Sequence, residues 1–132
     1  MARRFLAGLA LTLLALPIAS ESRAQNSPGS CISRFRFVPN GVTVVSGSTF
    51  RNRPCALPLG SNSSIRDYRL LVRPANGILG AAGEVGGRYQ TAYQPNPGFV
   101  GTDRFEVEIV YAARPRAPEM TTRIQATIYV VP

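Results

Sequence analysis

Apolar and polar residues alternate with a period of two over most of the chain, the pattern of strands that bury one face. Phe105, Val107, Ile109 and Tyr111 alternate with Arg104, Glu106 and Glu108, the clearest such stretch. Ile124, Ala126, Ile128 and Val130 alternate with Arg123, Gln125 and Thr127 near the end. Tyr89, Thr91 and Tyr93 share one face of another strand, and Tyr68, Leu70 and Val72 one face of a fourth. Ser33, Phe35 and Phe37 against Arg34 and Arg36 predict a first strand. Val42–Val45 and Ile78-Leu79 predict two shorter ones. Asn40-Gly41 and Asn76-Gly77 are turn signals. Arg51–Ser64 and Ala81–Gly87 read as loops, and Ala112–Met120 as a proline-rich hairpin connection.

Short strands separated by turns, with no helical period beyond the N-terminal apolar run, predict an all-β domain. The expected architecture is an antiparallel β-sandwich of about seven strands, with an SH3-like or OB-type barrel as the alternative. Phe105, Val107, Ile109, Ile124, Ile128, Tyr89 and Tyr93 are the expected core. There is no internal repeat.

The N-terminus changes the picture from a bare domain to an exported one. Arg3 and Arg4 precede an apolar run, Phe5 to Ile18, and Ser22-Arg23-Ala24 fits the small-x-small cleavage rule. Residues 1–24 are expected to be a signal peptide, with cleavage after Ser20 as the second choice and a retained amphipathic anchor as the bland reading. Residues 25–30 are then a disordered start and 31–132 a single domain. The apolar run is short for a membrane span of ~20 residues, so the chain is not expected to span a membrane. Location is expected to be periplasmic or secreted. In such a compartment the two cysteines, Cys31 and Cys55, are expected to form a disulfide. It would tie the first strand to the irregular segment after residue 51.

All 15 basic residues are arginine, and the formal net charge is +8. Loss of the signal peptide leaves +6 on 108 residues. The Arg-x-Arg pairs Arg34/Arg36 and Arg51/Arg53 flank the two cysteines, so a disulfide could gather four guanidinium groups into a site for phosphate, sulfate or carboxylate. Codon bias in a GC-rich genome, with scattered solvated arginines, is the plain alternative. Specific nucleic-acid binding is not expected, because the aromatic residues alternate onto the opposite face from the basic ones.

The chain has no histidine and no lysine. His-based triads, His metal ligands, Ser-Lys dyads and Schiff bases are thereby excluded. Glu106 and Glu108 remain as a carboxylate pair of the kind glycoside hydrolysis uses, but they sit on the polar face of an amphipathic strand. No catalytic residue, cofactor or metal is assigned, and the chain is expected not to be an enzyme.

The most distinctive stretch is Tyr93-Gln-Pro95-Asn-Pro-Gly98-Phe99-Val-Gly101-Thr-Asp103-Arg-Phe105. Prolines stiffen this corner, glycines allow backbone angles closed to other residues, and Asp103 can accept from nearby amides. The block resembles the signature of bacterial cadherin-like, immunoglobulin-like repeat domains, of the form Y-x-P-x-x-x-F-x-G-x-D-x-F. The resemblance extends over about Pro74 to Val131 and includes Pro74-Ala75-Asn76-Gly77. It implies an immunoglobulin-like sandwich in which Pro95, Gly98, Phe99, Gly101, Asp103 and Phe105 are structural. The family name raises calcium, but Asp67 and Asp103 are far apart and no Asp-rich run is present, so no metal site follows. Such repeats usually occur in tandem, and this chain has one copy.

Three functions are consistent with these residues. One is a binding or structural module of the envelope or secretome, acting on an unknown protein or envelope polymer. A second is a basic protein that binds anionic polymers such as lipopolysaccharide or acidic polysaccharide. The third is a carboxylate-dependent hydrolase.

Overall fold

The computed structural model describes residues 31–61 and 64–132. The expected signal peptide at 1–24 and the stretch 25–30 lie outside the described residues. So do Asn62 and Ser63 of the expected loop 51–64.

Eight strands follow one another: β1 (Gly41–Phe50), β2 (Cys55–Ser61), β3 (Ile65–Val72), β4 (Gly77–Leu79), β5 (Gly83–Val85), β6 (Arg88–Pro95), β7 (Gly101–Tyr111) and β8 (Met120–Val131). They form two sheets, one ordered β1-β8-β7-β3 and the other β2-β6-β4, with β5 also pairing β6. The chain is therefore an all-β sandwich, as its alternation predicts. Every pairing of the named strands is antiparallel except one. β1 runs parallel to β8 over ten residue pairs, from Gly41–Thr122 to Phe50–Val131.

The inward positions of β7 and β8 supply the centre of the core. Phe105, Val107, Ile109, Ile124 and Ile128 have no exposed surface, and Tyr93 faces them from the second sheet. Tyr89, expected among them, is only half-buried and packs at the margin. The outward positions carry the charge. Glu108 accepts from Arg69 at 2.7 Å, and Glu106 lies 3.6 Å from Arg123. The two carboxylates thus belong to an arginine–glutamate ladder across β3, β7 and β8.

Four segments depart from the sequence reading. Residues 33–38 alternate but form no strand. They make an arm that leaves β1 in the antiparallel sense, where Ile32 bridges Gly47 and the Ser48 amide donates to the Cys31 carbonyl. The arm is anchored by side chains instead. Phe37 packs on Tyr111 at 4.8 Å between ring centres, and Phe35 on Phe37 at 5.9 Å. Burial of these rings imposes the alternation without ladder pairing. The second departure is β2, in the middle of the expected loop 51–64. Cys55, Ala56, Leu57 and Leu59 are all buried, and Pro58 is tolerated because β2 is an edge strand. Third, the glycine-rich loop contains β5, turned onto β6 at Gly86-Gly87. β1 also continues beyond Val45 to Phe50, because β8 offers it a partner along its whole length.

Cys31 and Cys55 are bonded, with Cα atoms 5.3 Å apart, inside the span disulfides need. The bond clips the arm to β2, not a strand to a loop. Both sheets are thereby closed on one flank by a covalent tie.

Candidate functional site

The distinctive corner forms a hub. Asn96, Pro97, Gly98 and Phe99 make a tight turn closed by the Phe99 amide donating to the Asn96 carbonyl at 3.0 Å. Pro97 presets the first central position, and Gly98 takes a φ of 77°, which a residue with a Cβ resists. The chain then returns as β7 and brings Asp103 inward.

Asp103 is buried, and its carboxylate accepts four hydrogen bonds. Oδ1 receives the amides of Ala75 and Arg104, each at 2.9 Å. Oδ2 receives the Asn76 amide at 3.0 Å and the Tyr93 hydroxyl at 2.8 Å. A carboxylate offers about four lone-pair positions, so all are used. One side chain therefore joins β7, the β3–β4 connection and β6 across the two sheets. Tyr93 stacks on Phe105 at 6.0 Å. Gly77 is required here because a Cβ would collide with the Tyr93 ring and approach the Gln94 carbonyl to 2.7 Å. Pro95, Gly98, Phe99, Gly101, Asp103 and Phe105 thus assemble one structural corner. Its carboxylate has no lone pair left for a ligand. Among the described residues there is no cluster of three or more Cys, Asp or Glu that could hold a metal.

The Tyr93 hydroxyl keeps its proton well above the ordinary value of 10.0. Burial is the main cause, followed by the hydrogen bond to Asp103 and that carboxylate's charge. Burial also raises Tyr68 and Tyr111. A folded value above the unfolded one means that the stabilisation is complete below about pH 10 and is lost as pH rises through the folded value. The melting temperature is expected to fall steeply above pH 10, and Tyr93→Phe to flatten that fall while costing about 1–2 kcal/mol at neutral pH. A melting curve series with identical alkaline slopes for both proteins would refute the assignment.

The recessed surface lies elsewhere, on the flank closed by the disulfide. A cleft of about 820 Å³ is lined by Arg34, Phe35, Arg36 and Phe37 of the arm, Pro58, Leu59 and Gly60 of β2, and Arg88 at the start of β6. The arm supplies both chemistries through its alternation, with arginines exposed and phenyl rings partly buried. β2 contributes an irregularity, because its register with β6 shifts between Pro58 and Gly60. Arg88 arrives from the other side of this sheet edge, paired with Ser61. No carboxylate lines the cleft.

The expected meeting of four arginines is not what the fold produces. From Cys31 the arm runs toward the start of β1, where the Val38 amide donates to Thr43 Oγ1. Arg51 and Arg53 lie past the other end of β1, in the turn into β2. The disulfide sits between the two pairs and does not draw them together. Arg34 and Arg36 meet Arg88 instead, a partner 52 positions beyond Arg36 that no local signal indicates. Arg53 lies over the Phe50 ring at 5.7 Å. Among the described residues no helix is long and apolar enough to cross a membrane. Comparison with protein-family models, with curated proteins and with solved structures gives no match to this chain.

Proposed function

We propose that this chain is an exported, non-enzymatic binding module of immunoglobulin-like or cadherin-like type, and that its arm–β2 cleft takes an anionic group of an envelope polymer. The observation that carries this reading is the convergence of Arg34, Arg36 and Arg88 on one cleft without a lining carboxylate. Three guanidinium groups can give several charge-assisted, bidentate hydrogen bonds to phosphate, sulfate or carboxylate. The adjacent Phe35, Phe37, Pro58 and Leu59 offer an apolar wall to the body of the ligand. Export is supported by the disulfide, a bond of oxidising compartments. The immunoglobulin-like assignment is supported by strand order. β2-β6-β4 facing β3-β7-β8 is the order expected for six strands of a seven-strand immunoglobulin sandwich, while β1 lies beside β8 in the second sheet.

The test is elution from immobilised heparin with a salt gradient. The parent is expected to be retained, and Arg34→Gln/Arg36→Gln/Arg88→Gln to elute at clearly lower salt than Arg51→Gln/Arg53→Gln/Arg114→Gln, which loses the same three charges from exposed positions outside the cleft. Three fewer contacts should reduce affinity about tenfold or more at low salt. Elution of both variants at the same salt would remove the cleft as the site.

A further inference from the structure

A second surface, at the end of the sandwich away from Arg88, combines exposed apolar side chains with arginines that have no acidic partner among the described residues. Phe50 and Val131 are register neighbours at the ends of β1 and β8, and both point outward. Phe50 is 57% exposed and Tyr129, two residues before Val131 on the same face, is 48% exposed. Val100, in the β6–β7 turn, is also exposed. The two turns at this end are fastened to each other, since the Gly98 amide donates to Asn52 Oδ1 at 2.8 Å. The Arg51 amide in turn donates to the Val131 carbonyl at 2.7 Å. The apolar group is therefore held on rigid backbone.

The charge is one-sided. Arg51 and Arg53 stand beside Phe50, both exposed and neither paired with a carboxylate among the described residues. Exposed Asp67, Glu84 and Glu119 lie at the opposite end, at the start of β3, on β5 and before β8. Glu106 and Glu108 are engaged by Arg123 and Arg69. At this end the acidic side chain among the described residues is Asp103, which is buried and fully bonded.

We infer that this end is a membrane-docking surface, which seats Phe50, Val131 and Tyr129 at the interface of an anionic phospholipid bilayer with Arg51 and Arg53 among the headgroups. An occupant must be apolar and negatively charged at once. An anionic bilayer supplies both: aromatic side chains settle at the headgroup boundary, and guanidinium groups beside them gain from the surface potential. The surface sits on turns and strand ends, so a deformable partner can meet it without a matching groove. It is separate from the arm–β2 cleft in place and in chemistry, because the cleft's apolar residues are recessed and these are not.

The experiment is vesicle co-sedimentation of the mature protein at moderate salt. Vesicles are equimolar phosphatidylglycerol and phosphatidylcholine, or phosphatidylcholine alone. Binding to the anionic vesicles is expected to be about tenfold stronger or more. Phe50→Ser/Val131→Ser should weaken it roughly fivefold or more, and Arg51→Gln/Arg53→Gln by a similar factor. All four positions are exposed, and an unchanged melting temperature would show that the variants fold. The Arg34→Gln/Arg36→Gln/Arg88→Gln variant should keep vesicle binding while losing heparin retention. Equal binding to both vesicle types would overturn the proposal, as would loss of vesicle binding through the cleft variant alone. A dimer that Phe50→Ser dissociates, with no vesicle binding by the parent, would reassign the surface to a second copy of the chain.

Discussion

Asp103→Ala is expected to cost about 3–5 kcal/mol and to lower the melting temperature by roughly 15 °C or more. The loss exceeds that of one hydrogen bond because the side chain serves four donors. The amides of Ala75 and Asn76 come from the β3–β4 connection and the Tyr93 hydroxyl from β6, and the one carboxylate ties both to β7. With the carboxylate gone they are left in a site too small to be fully rehydrated, and each unsatisfied donor carries its own desolvation cost. Asp103→Asn should fall between parent and alanine variant. Its oxygen can keep the Ala75 and Arg104 amides, and the Tyr93 hydroxyl can turn to accept from the new NH2, but the Asn76 amide has nothing to meet. Thermal melts of both variants test this. A drop for Asp103→Ala of less than about 5 °C would show that the hub is dispensable. A rise in the parent's melting temperature on adding calcium would show that the carboxylate has spare capacity, contrary to its four-donor geometry.

Ile109→Ala is expected to cost about 3–4 kcal/mol. Ile109 is completely buried, lies between Thr122 of β8 and Tyr68 of β3 in register, and faces the opposite sheet. Three carbon atoms removed there leave a void, since a close-packed sandwich relaxes only in part. Ile109→Val should cost about 1 kcal/mol, and Val110→Ala, on the outward face of the same strand, under about 1 kcal/mol. Denaturant midpoints for the three variants give the comparison. Similar losses at 109 and 110 would mean that the inward face of β7 is misassigned.

The long amphipathic strands were legible in the sequence because water and core act on alternate residues. β7 and β8 therefore carry their own periodicity. β2 was not legible. Cys55, Ala56, Leu57 and Leu59 are almost consecutive and all buried, with a proline among them, so no alternation marks the strand. The arm failed in the opposite sense: it alternates because Phe35 and Phe37 are anchored, yet it lacks a ladder. The corner at 93–105 could be read as a turn with a capping aspartate. Its reach to Ala75 and Asn76 could not, because those amides approach Asp103 only when two sheets close. The cleft was half visible. Arg34 and Arg36 stood out beside Cys31, whereas Arg88 is an ordinary residue after a glycine pair until β6 carries it to β2. Arg51 and Arg53 were grouped with them by closeness to the second cysteine, a measure that ignores which way the chain leaves the bridge.

The parallel pairing of β1 with β8 has a consequence for how the molecule comes into being. Thr43 and Thr122, 79 positions apart, share a 2.7 Å hydroxyl hydrogen bond inside it. The first strand to leave the ribosome thus waits for the last before its sheet can close. Loop closure over such a distance is entropically costly, and topologies dominated by remote pairings fold in milliseconds to seconds. A nascent chain cannot complete this domain while its C-terminal strand is still being made. The sheet stays open until β8 is available, and the sandwich is finished only when β1 and β8 are both free to meet.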